Sequence, residues 1–403
     1  MQVRPIISTL RRHKTAATLI VLEIALTCAI VCNAVFLIGD RAARIARPSG
    51  TAEDELGYIT LTGIGTKADA TALTAQDLAA LRAIPGVRQV SSVNMVPFGN
   101  SSWNSGISLV KDDPNGVNVA QYMGRDLLET FGTRILAGRG FQPNEYLDFE
   151  AAQQGKFDHP SVIVSHALAE RLFQGDEAVG KQIYFGDKPA IVVGVMANLM
   201  RPNEFGEPEH AFYSVLLPVE IPYTEGGGYL VRADPAQLDT ILADAESTLN
   251  RIDPARIILH RRTLHDIRRE YYAKDRAMAY LLVGVTLALL LITALGIVGL
   301  ASFWVQQRTR QIGIRRALGA TRGHILRYFQ LENFILATAG IALGMALAYG
   351  LNLLLMAKYA VPRLPGEFLP IGALLLWILG QIAVLGPAIR ASTIAPAIAT
   401  RTV

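Results

Sequence analysis

The sequence has few cysteines for its length. Only Cys28 and Cys32 occur among 403 residues, and both lie in one apolar run near the start of the chain. Four positions apart on a helix, they share one face, and their spacing matches no common zinc or redox motif. We therefore interpret both as packing residues. The long polar segment that follows contains no cysteine, so it has to fold on its own hydrophobic core without disulfides.

Sequence motifs of catalysis are also missing. Residues 175–181 approach the phosphate-binding loop pattern, but Gln182 stands where Ser or Thr would hold magnesium, and a strand, not a helix, is predicted to follow. A turn is expected there, and Gly226, Gly227 and Gly228 are expected to form a flexible turn before another strand. No G-x-S-x-G elbow is present, and the histidines suggest no convergent metal site. The sequence therefore predicts a chain without catalytic activity of its own.

Charge is scarce as well. Charged residues make up 18% of the chain and hydrophobic residues 51%, with a mild net charge of +4. The arginines cluster beside apolar runs and not on a soluble face with interleaved aromatics, so no nucleic-acid partner is expected. Four apolar runs are long enough, at 1.5 Å per residue, to cross a hydrocarbon core of about 30 Å. These predicted spans are residues 16–39, 278–305, 329–357 and 368–389.

Basic residues set the predicted topology of these spans. Residues 306–328 contain six arginines and no acid, and such residues close to a span resist translocation. This segment and both termini are therefore expected in the cytoplasm. The first run is too long for a cleaved signal peptide, so it is expected to be a retained anchor. The basic residues of the two termini are Arg4, Arg11, Arg12, Lys14, Arg390 and Arg401.

The arginine-rich segment also has features of local structure. Apolar residues are interspersed among the arginines, and Gly319 is predicted to end one short helix before another begins near Thr321. Two interpretations remain open at this point. The segment is either an amphipathic element that passes force from a soluble partner into the membrane, or a basic surface helix that contacts anionic lipid headgroups.

Residues 40–277 have the composition of a mixed α/β domain. The predicted fold class is therefore membrane α-helical, with four transmembrane helices and a large α/β extracytoplasmic domain inserted between helices 1 and 2. The expected domains are residues 1–40, residues 41–277 and residues 278–403, the last with the cytoplasmic loop 306–328. Predicted strands cover residues 87–96, 116–122, 161–164, 182–185, 190–196, 229–232 and 256–260. Predicted helices cover residues 74–84, 126–131 and 166–173, and a further helix is expected to open at Asp234 and Pro235, before the last of these strands.

Two helix starts are predicted from capping patterns. Thr74 is a plausible N-cap with Asp77 three residues on, and Thr263 stands in the same relation to Asp266. From Thr263 one helix is expected to continue to residue 305, a length of about 60 Å, as a stalk that joins the outer domain to the membrane. Its interfacial aromatics are predicted to be Tyr271, Tyr272 and Trp304.

Polar and small residues inside the predicted spans are candidates for helix contacts. Glu23 and Asn33 interrupt the first span, and such groups usually face a partner helix or a wet cavity. The alternative for Glu23 is that it reaches the interface or is protonated. Gly340 and Gly344 form a small-x-x-x-small pair that permits close helix approach.

The string RTRQIGIRRALGATRGHIL resembles the signature loop of the FtsX/MacB-like ABC transporter permeases, R-x-R-E-I-G-I-R-R-A-L-G-A. This chain has Gln311 where the family usually has Glu. The resemblance implies that the loop docks on an ABC ATPase. The coupling residues that it implies are Arg308, Arg310, Gln311, Ile312, Gly313, Ile314, Arg315, Arg316, Ala317, Leu318, Gly319 and Ala320.

The outer segment resembles the periplasmic core domain of the same family. YMGRDLLETFGTRILAGRGF is similar to a stretch that ends in A-G-R-x-F, here Ala137, Gly138, Arg139 and Phe141. SHALAERLF and VGKQIYFGDKPAIVVGVM are similar to two further family elements. With the loop and the span pattern, the resemblance covers nearly the whole chain.

The resemblance implies a non-catalytic permease subunit in the bacterial inner membrane, which works as an exporter by mechanotransmission. Its expected partners are a separate ABC ATPase that binds ATP and Mg, a second permease copy or paralogue, membrane lipid and a periplasmic adaptor protein. This chain itself is expected to bind no cofactor and no metal. Two alternatives stay open: a lipoprotein-releasing permease, and an FtsX-like regulator of a peptidoglycan hydrolase that transports nothing.

Overall fold

The computed structural model describes residues 14–63, 70–99, 101–154, 160–204, 208–225, 227–359 and 363–395. The chain divides into two compact units. We call them the helical unit, which is Met1–Ala46 with Lys274–Val403, and the sheet unit, which is Arg47–Ala273. Outside the described residues lie Gly226 of the predicted turn and four basic residues of the predicted termini, Arg4, Arg11, Arg12 and Arg401.

Long helices dominate the helical unit, whereas strands and shorter helices build the sheet unit. In chain order, the helices are α1 (Lys14–Ile45), α2 (Ala70–Arg82), α3 (Leu127–Phe131), α4 (Phe149–Gln153), α5 (His166–Phe173), α6 (Leu238–Ile252), α7 (Leu264–Tyr271), α8 (Ala273–Gln307), α9 (Thr309–Ala317), α10 (Arg322–Tyr359) and α11 (Phe368–Ser392). The strands are β1 (Leu56–Gly63), β2 (Val87–Val93), β3 (Asn104–Ser108), β4 (Val117–Met123), β5 (Ile135–Gly138), β6 (Leu147–Asp148), β7 (Ser161–Ser165), β8 (Gln182–Phe185), β9 (Lys188–Met196), β10 (Ser214–Leu217), β11 (Val219–Glu220), β12 (Gly228–Ala233) and β13 (Arg256–Thr263).

Four helices of the described chain, α1, α8, α10 and α11, are long and apolar enough to cross a membrane. They contain the four predicted spans. Each continues past its apolar run, because an apolar run marks only the hydrophobic part of a helix. The third shows this most clearly, since α10 begins at Arg322, seven residues before the predicted start at residue 329.

The sheet unit contains a four-stranded antiparallel sheet in the order β13-β1-β12-β2. Helices α2 and α6 cover one face of this sheet. Leu81 of α2 and Leu242 of α6 pack with Ile59, Val90 and Val231 of the strands, and all five are buried. Alternating side chains of the strands thus supply one face of the core, as the two-residue period of a strand requires.

A second sheet in this unit has the order β5-β9-β7-β10-β4-β3-β8. Because β8 also pairs with β9, six of its strands close into a ring. The side chains of Val162, Val192 and Val215 meet inside one buried cluster, which Leu168 of α5 joins. The predicted turn at residues 175–181 does lead into a strand, β8, and the N–H of Gly180 donates to the carbonyl of Val192 at 2.7 Å.

The prediction that Thr74 caps a helix is wrong. Helix α2 begins four residues earlier, and the Thr74 hydroxyl donates to the carbonyl of Ala70 at 2.7 Å. Asp77 is not a capping residue either. Its carboxylate is fully buried and accepts two hydrogen bonds from Arg256, at 2.8 and 3.0 Å, and one from the hydroxyl of Tyr229. Such a pair joins α2 to β13 and β12, and removal of one partner would leave an uncompensated buried charge.

The single helix predicted from Thr263 to residue 305 is interrupted. The N–H of Asp266 donates to the Thr263 hydroxyl at 3.1 Å, as predicted, but α7 ends at Tyr271 and α8 starts at Ala273. The rings of Tyr271 and Tyr272 pack on Phe98 inside the sheet unit, with centroid distances of 5.6 and 5.7 Å.

Two of the glycines predicted to form a flexible turn, Gly227 and Gly228, are packed against neighbouring backbone, and Gly228 is already the first residue of β12. A methyl group on Gly227 would collide with the Val93 carbonyl oxygen, and one on Gly228 would collide with the Ile59 carbonyl oxygen. These positions need glycine because neighbouring backbone lies against them.

Candidate functional site

The arginine-rich segment forms a separate short helix, α9, between α8 and α10. The chain turns at Arg308, whose φ is −103° and ψ is 10°. The Thr309 hydroxyl donates to the carbonyls of Val305 and Gln306, at 3.0 and 2.9 Å, and so satisfies acceptors at the end of α8. The break between the two helices is therefore encoded locally by Arg308 and Thr309.

The end of α9 is fixed by Gly319, as the sequence predicts. Its φ of +99° lies in the left-handed region, where glycine is favoured. The N–H of Gly319 donates to the Arg316 carbonyl at 3.1 Å, and the N–H of Ala320 donates to the Arg315 carbonyl at 3.0 Å. This is the Schellman pattern of a helix C-terminus. Thr321 then caps α10 by accepting from the N–H of His324 at 3.2 Å.

One face of α9 is anchored on the helical unit by a buried ion pair at its start. Arg308 donates to both carboxylate oxygens of Glu332 on α10, at 3.0 and 2.9 Å. The two side chains are only 9% and 2% exposed, so the pair is shielded from solvent. The guanidinium also lies 5.4 Å from the ring centroid of Trp304 on α8. The predicted coupling residues do not include Glu332, although an ionisable side chain so close to the start of an apolar run usually faces a partner.

Apolar and polar contacts continue this anchoring along α9. Ile312 is buried against Val305 of α8, Phe329 of α10 and Ala388 of α11. Arg316 donates to the carbonyl of Ile394, just beyond α11, at 2.6 Å. The helix therefore contacts the ends of three long helices at once.

The opposite face of α9 is exposed. Ile314 is 46% exposed and Leu318 is 84% exposed, and Arg310 lies one turn before Ile314 on the same face. Arg315 is also exposed, and its guanidinium lies 5.0 Å from the ring centroid of Tyr328. The predicted coupling residues are thus divided between two faces. Arg308, Ile312, Gly313 and Arg316 face inward, Ala320 is half-buried, and Arg310, Gln311, Ile314, Arg315, Ala317, Leu318 and Gly319 are exposed.

The small pair Gly340 and Gly344 on α10 lies against α1. A methyl group on Gly340 would come within 2.8 Å of Ile24, and one on Gly344 within 2.5 Å of Cys28 Cβ. Cys32, the other cysteine, lies against Gly372 of α11 in the same way. Both cysteines are buried packing residues of the helical unit.

The two polar residues predicted on α1 face different helices. The Glu23 carboxylate lies over Gly296 of α8, where a methyl group would come within 2.6 Å of its Oε1 atom. Asn33 is buried and its side-chain amide donates to the Ala348 carbonyl of α10 at 3.0 Å. The arrangement joins α1 to α8 and to α10.

In the sheet unit the A-G-R-x-F element builds a carboxylate site at the surface. Arg139 donates to both oxygens of Glu145, at 2.7 and 2.8 Å, and Glu145 also accepts from the Ser161 hydroxyl and the Gln142 N–H. The Arg139 hydrogen bonds, reinforced by those from Ser161 and Gln142, lower the pKa of Glu145 to about 2. These donors bind Glu145 within the unit, and the bond from Ser161 fixes the start of β7.

No group of three or more metal-ligating side chains occurs within the residues that the structure describes. His260 on β13 and His265 on α7 are both exposed. The arrangement around α9 offers a basic and apolar surface, which suits binding to another macromolecule.

Four long apolar helices in one unit and a large sheet-containing unit in the same chain define a multi-pass membrane protein with a periplasmic-type domain. Family models agree with both parts. Residues 17–248 match the MacB-like periplasmic core domain, and residues 283–396 match the FtsX-like permease C-terminal domain. The first match alone covers more than half of the chain. The chain belongs to the FtsX/MacB-like family of ABC transporter permeases, as the resemblance of its loop predicts.

Individual relatives are distant in sequence. The macrolide export ATP-binding/permease protein MacB of Chromobacterium violaceum is 26% identical over 57% of this chain and 34% of its own length. The ABC transporter permease YvrN of Bacillus subtilis is 28% identical over 68% of each chain. The pyoverdine export ATP-binding/permease protein PvdT of Pseudomonas aeruginosa is 25% identical over 87% of this chain and 51% of its own. The chain thus spans a third to a half of these two ATP-binding relatives, and two thirds of YvrN.

Proposed function

We propose that this chain is the non-catalytic permease subunit of an ABC exporter, and that the exposed face of α9 docks on a separate ATPase subunit. The observation that carries the proposal is the division of α9 into an anchored and an exposed face. A helix that only lay on lipid would not need its other face fixed by a buried ion pair and an apolar cluster. YvrN, a permease by name, supports the separation of the ATPase from this chain.

The exposed face has the composition of a protein-binding surface. Leu318 projects at the end of α9 with 84% of its surface exposed, and Ile314 lies one turn before it. Arg310 and Arg315 flank them. Arginine is enriched at protein interfaces, and side chains buried at the centre of an interface fill pockets on the partner. The partner surface is therefore expected to hold an apolar pocket with acidic residues around it. Gln311 on this face would accept and donate hydrogen bonds where the family Glu brings a charge.

Motion of α9 would reach three long helices. Arg308 is bonded to Glu332 on α10, Ile312 packs between α8, α10 and α11, and Arg316 bonds Ile394 beyond α11. Displacement of α9 without these helices would break a buried ion pair, at a cost of about 3 to 5 kcal/mol. ATP-driven movement of the ATPase would therefore be passed into the membrane helices, and from there to the sheet unit, as mechanotransmission.

The proposed topology and partners follow from the family to which the chain belongs and from the positions of its basic residues beside the long apolar helices. The arginine-rich helix and both termini lie in the cytoplasm, and the sheet unit lies in the periplasm of an inner-membrane protein. ATP and Mg are bound by the ATPase, two permease copies or paralogues assemble, and the sheet unit engages substrate or an adaptor. MacB and PvdT are export proteins by name, which supports export over the two alternatives.

The docking surface is tested by replacing Leu318 with Glu in the full-length protein and measuring how much ABC ATPase copurifies in mild detergent. A charge in the apolar pocket is expected to reduce recovery of the ATPase at least about tenfold, as loss of a buried interface anchor does. Leu136→Glu is the matched control, because Leu136 is also exposed but lies on β5 of the sheet unit. Wild-type recovery with Leu318→Glu would show that α9 docks elsewhere or not at all.

A further inference from the structure

Glu204 of the sheet unit is a nearly buried carboxylate with partners from both ends of that unit. Its Oε2 atom accepts from Arg47 Nη1 at 3.0 Å, and its side chain is 9% exposed. Its Oε1 atom accepts from the Tyr272 hydroxyl at 2.8 Å. Its backbone N–H donates to the Tyr271 hydroxyl at 2.9 Å. One residue therefore binds the first residue of the unit and two of its last three.

Two of these partners, Arg47 and Tyr272, lie next to the boundaries between the two units. Arg47 follows α1 by two residues, and Tyr272 immediately precedes α8. These are the two points at which the chain passes between the helical unit and the sheet unit. Both points are fixed to the same carboxylate.

Arg268 makes a second tie between the same two ends. It donates to the Arg47 carbonyl at 2.6 Å and to Glu53 Oε2 at 2.7 Å. Its guanidinium also lies 5.5 Å from the ring centroid of Phe98. Because the acceptor on Arg47 is its backbone carbonyl, this bond fixes the position of the main chain where it enters the sheet unit.

The aromatic residues behind this cluster are held tightly. Phe98 is buried, and its φ of +65° is uncommon for a residue other than glycine. Strained backbone of this kind persists only where the surrounding packing determines it. Its ring contacts Tyr271 and Tyr272, so the two tyrosine hydroxyls are presented to Glu204 in a fixed orientation. Burial raises the pKa of Tyr272 far above its usual range, which keeps the hydroxyl a donor.

The helical unit contains a corresponding tie. Arg41 of α1 donates to Asp275 of α8 at 2.6 Å, and Arg44 lies 3.6 Å from the same oxygen. Arg41, Arg44 and Arg47 recur every three residues. In the proposed topology this end of α1 faces the periplasm, where basic residues are disfavoured. Asp275 in the helical unit and Glu204 in the sheet unit compensate the charges of these arginines at this end of α1.

We infer that Glu204 is a positioning residue for transmission: it joins the two chain crossings, so that movements of α1 and α8 reach the sheet unit together. Its joint consists of Arg47, Glu204, Arg268 and Tyr272. Arg268 and Tyr272 lie outside the two segments that match family models, residues 17–248 and 283–396. The inference rests on the proposed function, because it requires ATP-driven movement of the helices.

The test compares hydrogen–deuterium exchange of β1 and β13 with and without ATP, in the full chain copurified with its ATPase and held in lipid nanodiscs. The variants are Glu204→Ala, which removes the side-chain bonds to Arg47 and Tyr272, and Glu204→Gln, which removes the charge. Glu246→Ala is the matched control, because it removes an ion pair of the same unit, with Arg261 at 3.4 Å, whose two members belong to neither crossing. ATPase activity and the thermal unfolding midpoint are measured for each.

In the wild type and in Glu246→Ala, ATP is expected to change exchange in the sheet unit. Glu204→Ala is expected to lose most of that ATP-dependent difference while it still hydrolyses ATP, and Glu204→Gln is expected to lose part of it. A merely structural role would lower the unfolding midpoint and leave the ATP-dependent difference in place. If Glu204→Ala keeps the ATP-dependent difference, with or without a lower unfolding midpoint, the inference about Glu204 is overturned while the proposed function still stands. Absence of any ATP response in the wild type would overturn mechanotransmission and the inference with it.

Discussion

Single residues in this protein gain their roles from the side chains that the fold places around them. Arg139 of the A-G-R-x-F element and Glu145 illustrate the point, because together they fix the start of β7 through Ser161. The arginine therefore has a structural task in the sheet unit. The side chain of Arg139 is 44% exposed, whereas that of Glu145 is 15% exposed, so the carboxylate is the less solvent-accessible partner.

The low pKa of Glu145, about 2, predicts how this contact depends on pH. A carboxyl whose pKa is lower in the folded chain than in the unfolded chain stabilises the fold above the unfolded value of about 4.3, and this contribution is lost as the pH falls towards 2. Glu145→Gln is therefore expected to be less stable than wild type by about 1 kcal/mol at pH 7, a value reduced for solvent screening. The difference should disappear near pH 2.

Thermal unfolding of the full chain in detergent at several pH values measures this difference. Glu246→Gln is the matched variant, because it alters a more exposed pair, between Glu246 of α6 and Arg261 of β13. A wild-type advantage over Glu145→Gln that stayed constant from pH 7 to pH 2 would show that the ionised carboxylate is not the stabilising form.

At the scale of elements, α1 organises the helical unit. Of the residues in the apolar part of α1, 61% are buried, compared with 17% to 33% for the corresponding parts of α8, α10 and α11. It bonds α8 through Thr27 and Thr293, whose hydroxyl oxygens are 2.8 Å apart, and it packs closely on α10 at Gly340 and Gly344. Lipid offers little apolar driving force between helices, so such close packing and polar contacts hold them together.

Gly344→Ile is expected to separate α1 from α10. The new side chain would start 2.5 Å from Cys28 Cβ and 2.7 Å from the Ala25 carbonyl oxygen. Overpacking of this kind costs about 1 to 3 kcal/mol, so the unfolding midpoint of the detergent-solubilised protein should fall. Gly350→Ile is the control on the same helix, because no neighbouring atom of the described residues lies within 4 Å of a methyl group there. Equal midpoints for the two variants would contradict the packing.

The sequence predicts some of these elements better than others. Four helices follow from long apolar runs, and the end of α9 follows from Gly319, because these signals are local. The strand β1 also has a local signal, the alternating, β-rich string LGYITLTG, yet the predicted strands do not include it. The pairing of Asp77 with Arg256 has no such signal, since the two residues are 179 positions apart.

The two faces of α9 were not predictable from composition. Ile312 and Ile314 are the same residue type two positions apart, yet Ile312 is buried and Ile314 is half exposed. Only the positions of α8, α10 and α11 decide which isoleucine is covered. The string resemblance identified the segment, whereas the structure shows which of its residues are presented.

At the scale of the whole molecule, the two family models and the two units divide the chain differently. The MacB-like periplasmic core model begins within α1, and the FtsX-like model begins within α8. The residues between the models include β13 and α7 and therefore part of the proposed joint. In our account this intervening segment is where membrane movement is converted into movement of the sheet unit.

The most direct test of the central claim is affinity purification of the wild-type chain from its native membrane in mild detergent, with mass spectrometry of the proteins that remain bound. The account predicts an ABC ATPase in near-stoichiometric amount, and an adaptor protein for an exporter. A cell-wall hydrolase recovered with the ATPase would contradict export and favour a signalling role. Recovery without any ABC ATPase would contradict the assignment of α9 as a docking helix and, with it, the account as a whole.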